Sequence, residues 1–383
     1  MHPKSLPGPL LALALAAGPL SAQDFGTELG LSFALDRASS TRTDVVISGT
    51  SIPGFSYRGD TESRGGEAVA TRFLAPVTDD GSSPLALLPY LARSGSVSLR
   101  GGLSGLSNDS TGSSQGVSTG LTSTLSGSGH EAFGGASAAV FLDRSTCLLG
   151  GLDLLSRRTT DATNSVELPS GRQDLGLIDQ RSTNVSVSLG VRRFFGDHSL
   201  AVEGLAGRLA TDRADRSVFS GGSASAFSYE IRGVPLGARL SGRVLAFSRR
   251  LVLDAGASYL STTTDLDDVT IPAAPRRADE GSSSEWSGSL GGTVFLSRDL
   301  GVTLGTAYAR RDDESGLTVR RKSGRRETVT ALAGVRWYAS SSTSVAFEIE
   351  HDWRRVTSPP DGPSYQKFRD RETRLALSAG LRF

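Results

Sequence analysis

From residue 185 to its end the chain alternates between oily and wet positions with a period of two. Val185, Val187, Leu189 and Val191 oppose Ser186, Ser188, Gly190 and Arg192. Leu251, Leu253, Ala255, Ala257 and Tyr259 oppose Asp254, Gly256 and Ser258, and Val345, Phe347 and Ile349 oppose Ser344, Ala346, Glu348 and Glu350. A period of two predicts strands with one apolar face, whereas a helix would mix the two sets. The same phase returns in strand after strand. A slip of one residue would turn the charged set outward, so register is firmly specified.

From about residue 131 these strands come in a repeating unit: long strand, short polar turn, long strand, long polar loop. The turns fall at 141–145, 195–198, 247–250, 295–299 and 337–342, each opened by an aromatic residue: Phe141, Phe195, Phe247, Phe295 and Trp337. A period of roughly 50 residues raises a β-propeller first. A blade needs four short strands per period, and here each period holds two strands of about 10–14 residues. That length suits a tilted crossing of a hydrocarbon layer, with short turns on one side and long loops on the other.

Composition agrees. With hydrophobic residues at 37%, 46 glycines and abundant Ser and Ala, the chain is too polar to fill a large solid core. A closed sheet with a wet interior removes the difficulty, because only alternate residues need be apolar and they face lipid. Basic and acidic totals of 41 and 40 nearly cancel, which argues against nucleic acid as a partner. Cys147 is the single cysteine, so no intrachain disulfide is expected.

Residues 1–22 read as a secretory signal, with His2 and Lys4 before an apolar run at 9–17 and small residues at Ser21 and Ala22. Residues 24–36 form the opening strand. The segment 37–130 is harder to read. Residues 67–75 look like one strand and 97–106 like another, and between them 84–91 is an apolar patch bracketed by prolines. That patch fits either a short helix at the short-turn side or a strand start.

The last stretch, 371–383, sets Thr373, Leu375, Leu377, Ala379, Leu381 and Phe383 against Glu372, Arg374, Ala376, Ser378, Gly380 and Arg382. A final Phe preceded by alternating apolar residues resembles the closing strand of bacterial outer-membrane β-barrel proteins. With residues 24–36 and 131–383, the resemblance covers most of the chain. It implies an all-β, transmembrane, antiparallel up-and-down barrel over 23–383, with short periplasmic turns and long extracellular loops. The expected count is about 14 strands, with about 12 or 16 as alternatives, because both ends lie on the periplasmic side. The implied location is the outer membrane after export. Expected partners are membrane lipid and lipopolysaccharide, the barrel-assembly machinery through the C-terminal strand, and small hydrophilic solutes. The porin-like job common in barrels of this size is passive diffusion.

On this reading Arg192, Glu203, Arg239, Arg243, Asp254, Arg336, Glu348, Glu350, Asp352 and Arg374 point into the lumen. Arginines between 192 and 243 facing acids between 348 and 352 would set a transverse field on permeating solutes. Alternatively, neighbouring strands pair these charges in a narrow interior. Phe141, Phe195, Phe247, Phe295, Trp337 and Phe383 are expected as the aromatic ring at the headgroup boundary.

Chemistry beyond a pore is poorly supported. His351 and Asp352 are adjacent on a strand and face opposite sides, so they cannot form a dyad unaided. No metal-ligand spacing, phosphate-cradling loop or nucleophile elbow occurs, and no cofactor is expected. The charged runs 265–268, 310–314 and 320–326 are expected in long loops, with Arg325 and Arg326 able to meet lipopolysaccharide phosphates. Besides a passive channel, a non-conducting surface barrel whose loops bind an external partner fits the sequence. A barrel enzyme acting on lipid or peptide fits it less well.

Overall fold

The computed structural model describes residues 24–47, 50–114, 122–166, 173–218, 224–270, 280–317, 320–357 and 367–383. The signal assignment for residues 1–22 lies outside them. The described strands are β1 (Asp24–Ile47), β2 (Thr50–Thr78), β3 (Ser96–Ser114), β4 (Thr122–Phe141), β5 (Thr146–Val166), β6 (Gln173–Phe195) and β7 (His198–Val218). They continue as β8 (Ala224–Ala246), β9 (Leu251–Thr270), β10 (Glu280–Phe295), β11 (Leu300–Leu317), β12 (Arg320–Ser340), β13 (Thr343–Thr357) and β14 (Lys367–Arg382). Each pairs with its chain neighbours, and β1 pairs with β14, giving a closed barrel of 14 antiparallel strands.

Closure joins the two ends of the described chain in register. Leu29, Leu31, Phe33 and Leu35 lie opposite Leu381, Ala379, Leu377 and Leu375. The backbone N–H groups of Gly26 and Thr27 both donate to the Phe383 carbonyl, at 3.0 and 2.8 Å. A closed sheet leaves no ladder edge, the condition for placing strands in hydrocarbon.

The alternation places the oily rows outside. Leu99, Leu103, Leu189, Leu236, Leu290 and Leu304 are exposed on the outer wall, as a lipid-facing surface requires. Above them sit Tyr259, Trp286, Tyr308 and Trp353, with Tyr259 against Trp286 at 4.4 Å between ring centroids. At the short-turn end Phe195, Phe247, Trp337 and Phe383 are exposed.

Two expected members of that ring turn the other way. Phe295 is buried against Leu87, Leu245 and Val252, and Phe141 packs inward on buried Phe194 at 5.5 Å. The cause is phase. In β4 and β10 the outward set is even-numbered (Val140; Trp286, Leu290, Val294), so 141 and 295 fall inside. Leu142 and Leu296 take the exposed places beside them.

The strands are also longer than expected, from 15 residues in β13 to 29 in β2. The charged runs expected in loops lie in β9, β11 and β12, because each strand finds a hydrogen-bonding neighbour beyond the membrane and goes on pairing.

The interior differs most from expectation between β2 and β3. Residues 79–95 fold back into the short-turn end of the barrel as a 3₁₀ turn (Leu85–Leu87) and a short helix, α1 (Leu88–Ala92). Of the two readings open for the apolar patch, the helix is the one formed. Pro84 precedes the turn and Pro89 stands at the helix start, where its missing N–H costs nothing. Arg93, in the left-handed region at φ 48°, ends it.

Candidate functional site: a polar lumen closed by a plug

Leu85, Leu87 and Leu88 are the apolar anchors of the plug, each almost wholly buried. Leu85 and Leu88 enter a cluster with Phe25, Phe73, Val77 and Tyr338, and Leu87 enters another with Leu245, Val252 and Phe295. Inward-facing apolar residues near the short turns therefore have a purpose that a water-filled tube would not give them. They seat the segment across the mouth.

Polar contacts tie the same segment to four hairpin turns. The Leu85 N–H donates to the Arg298 carbonyl at 3.1 Å, Arg298 Nε donates to the Ser83 carbonyl at 3.2 Å, and Arg298 pairs with Asp79. Arg249 reaches Asp197 at 2.8 Å and the Ser83 hydroxyl at 3.0 Å. Tyr90 donates to the Asp197 carbonyl at 2.9 Å, and Arg93 donates to the carbonyls of Arg144 and Gly196. Arg382, in the row of the closing strand opposite its apolar residues, is 5% exposed against the plug. It donates to the Leu85 carbonyl at 2.9 Å and to the Tyr338 hydroxyl, pairs with Glu28 at 3.3 Å, and lies over the Phe25 and Tyr338 rings.

Two local devices stiffen these ties. Burial works against the charge of Asp80, but hydrogen bonds from Ser83 and Ser82 hold its carboxyl down at about 2. The turn carrying Arg249 has Phe247, Ser248 and Arg249 all at positive φ, from 50° to 70°. Non-glycine residues there cost of order 1 kcal/mol each, and the Arg249 contacts help to hold the turn in that shape.

Above the plug the lumen is a series of polar cavities. The middle one, 650 Å³, brings together Arg192, Arg239, Arg243, Asp254 and Glu350. Below it, a 190 Å³ cavity holds Arg336 and Glu348, shares Arg243 and Asp254 with the middle one, and ends on Leu87, Phe295 and Tyr338. Toward the long-loop side a 710 Å³ cavity carries Arg374 with Asp36, Arg354 and Glu372.

Several of the charges pair. Arg243 grips Asp254 through two hydrogen bonds at 2.7 and 3.2 Å, and Arg374 meets Asp36 at 3.5 Å. Glu203 faces inward as the register partner of Arg239, with its chain over Gly190. Asp352 departs from its expected role. It is buried, one oxygen accepts from Thr330 at 2.5 Å and the other from Arg354 at 3.0 Å, so it braces the wall and leaves the lumen to Glu350.

His351 and Asp352 do lie on opposite faces. His351 rests on Trp353 with centroids 4.4 Å apart, outside the barrel. Arg325 and Arg326 also separate: Arg325 pairs outside with Asp312 at 3.0 Å, while Arg326 lines the upper cavity. They do not form one basic rim.

The fold and this interior define a β-barrel of the bacterial outer-membrane type. No protein-family model and no curated protein matches the sequence. Solved structures do match in shape. A FadL homologue of Pseudomonas aeruginosa superposes with a TM-score of 0.53 at 12% identity, covering 94% of this chain and 90% of that one. The toluene transporter TodX of Pseudomonas putida gives 0.51 at 12% identity over 98% and 92%. A TodX variant described as a monoaromatic hydrocarbon channel gives 0.54 at 12% over 98% and 93%. The likeness at such low identity is one of fold.

Proposed function

We propose that this chain is an outer-membrane channel for small hydrophilic solutes, exported to that membrane and closed at its periplasmic end by residues 79–95. One observation carries the reading: a run of cavities walled by Arg, Asp, Glu, Ser, Thr and Gly descends the barrel and stops at the apolar seat of the plug. A polar wall replaces part of a solute's hydration and gives nothing to a hydrocarbon. Conduction then requires the plug to shift. Planar-bilayer recording of the refolded protein tests this. Ohmic steps that become frequent when the plug is weakened support it, and silence in both forms, with insertion verified, leaves a non-conducting surface barrel.

A second reading, passage of a small apolar molecule, draws on two observations. The fold neighbours include a toluene transporter, and Leu106, Phe133 and Val356 touch the upper cavity. Liposome swelling with sugars against toluene uptake separates the two.

Two partner assignments complete the proposal. On the outer wall above the aromatic row, Arg355 and Arg371 are exposed beside Trp353 and offer guanidinium groups to lipopolysaccharide phosphates. The R355Q/R371Q variant should then retain less lipopolysaccharide on purification than the parent, and equal retention counts against it. The outward row of β14, ending in Phe383, is the feature offered to the assembly machinery.

A further inference from the structure

We infer that the middle of the lumen is a binding station for the carboxylate or phosphate group of a small anionic solute, held by Arg192 and Arg239. The inference rests on the channel reading only for its purpose. The binding itself can be tested without any current.

The 650 Å³ cavity carries three arginines against two carboxylates, Asp254 and Glu350, so its wall has an excess of one positive charge. The arginines are not equivalent. Both guanidinium contacts of Arg243 with Asp254 are made on neighbouring strands, which leaves that pair neutral and internally satisfied. Arg192 on β6 and Arg239 on β8 face the same space, and among the described residues no carboxylate lies within ion-pair distance of either. Glu203 is the register neighbour of Arg239 but does not reach it within that distance.

A guanidinium offers five donors in a planar fork that matches a carboxylate or phosphate. Two such forks on one wall, with β7 between them, make a two-armed receptor. Ser199 on that intervening strand and Ser241 on β8 line the same cavity and add hydroxyl donors. Tyr90 forms the floor, with Arg243 at 5.0 Å from its ring centroid, so the station stands directly on the plug.

Glu350, from β13, is the one carboxylate of this cavity in no ion pair among the described residues, its register neighbour Arg374 being paired with Asp36. It disfavours a second negative charge on the ligand and can accept from a hydroxyl or ammonium group at the ligand's other end. The occupant is therefore a small solute with one oxyanion end, and 650 Å³ falls in the range of small-molecule sites.

The test is titration calorimetry of the refolded full chain in detergent, with inorganic phosphate and, separately, acetate as probes. The parent should bind at least one of them, R192Q/R239Q at least tenfold more weakly, and E350Q more tightly. The parent's affinity should fall as potassium chloride is raised. Unchanged affinity in R192Q/R239Q, or no heat from either probe with the parent, overturns the station. If the double variant does not refold, R239Q alone is measured and a loss of threefold or more is required.

Bilayer recordings keep the two ideas apart. A protein that conducts but binds neither anion defeats the station and leaves the channel standing. One that binds but never conducts upholds the station and removes the channel.

Discussion

Replacing Leu85 and Leu88 together by alanine should unseat the plug. Both side chains are nearly inaccessible, at 2% and 3%, within the cluster that includes Phe25, Phe73, Val77 and Tyr338. Truncating a buried leucine costs about 2–5 kcal/mol, the transfer term plus the cavity left behind. Two such losses sum to roughly 4–10 kcal/mol, and at about 1.4 kcal/mol per tenfold the ratio of closed to open plug falls by roughly 700-fold or more. The comparison that gives this force is Arg298→Ala. That change removes the Asp79 pair and one bond to the Ser83 carbonyl, while the backbone bond from Leu85 to the residue 298 carbonyl survives. A partly exposed pair of this kind is worth about 1–2 kcal/mol, or roughly 5–30-fold. Open probability in planar bilayers reads the equilibrium directly. Maleimide labelling of Cys147 gives a second readout. This buried thiol is the register partner of Phe141, which packs on Phe194, which in turn packs on Tyr90 of the plug. The order expected is L85A/L88A far above R298A, and R298A above the parent. If R298A opens the barrel and L85A/L88A leaves it closed and its thiol unreactive, apolar burial is not what seats the plug.

Other consequences follow from single residues. Arg382→Ala leaves Glu28 without its pair and the Leu85 carbonyl without a donor at a buried position, which should cost about 3–5 kcal/mol in urea unfolding of the refolded barrel. Gly102→Ala places a Cβ against the Phe133 ring and within 2.6 Å of the Gly66 carbonyl oxygen, so the ring must leave its place inside the wall; a loss of about 1–3 kcal/mol is expected in the same unfolding assay. The Asp80 carboxyl is held at about 2, below its ordinary value near 3.9. Its contribution is therefore fully present above about pH 4 and is lost as pH falls toward about 2. Hydrogen exchange at the Leu85 and Leu87 amides, corrected for intrinsic rate, should speed up across that window in the parent and lose that step in Asp80→Asn.

Outside 37–130, the strands and the face that most of their residues present were legible in the alternation itself, because hydrocarbon outside and water inside impose a period of two on every crossing. That period correctly separated His351 from Asp352, and it sent Arg192, Arg239, Arg243 and Glu350 inward. It also contained the answer for Phe141 and Phe295, whose numbers share the phase of the inward rows. Reading them by their place before a turn, and not by phase, put them on the wrong side. Phase likewise separates Arg325 from Arg326 once their run is recognised as strand.

Only the tertiary structure decided what fills the mouth. The apolar patch at 84–91 is too short to show its partners, and the residues that seat it come from both ends and the middle of the chain: Phe25, Leu245, Phe295, Tyr338 and Arg382. Which charges stay unpaired was also beyond one-dimensional reading. Asp254 and Glu350 look alike in sequence. Strand register puts an arginine opposite each of them, Arg243 for Asp254 and Arg374 for Glu350. Arg243 closes on Asp254, but Arg374 turns to Asp36 and leaves Glu350 outside any ion pair among the described residues. Alternation fixes a side, since it is a property of each strand alone. Pairing and plugging depend on distances between strands far apart in the chain, which exist only after the barrel has closed.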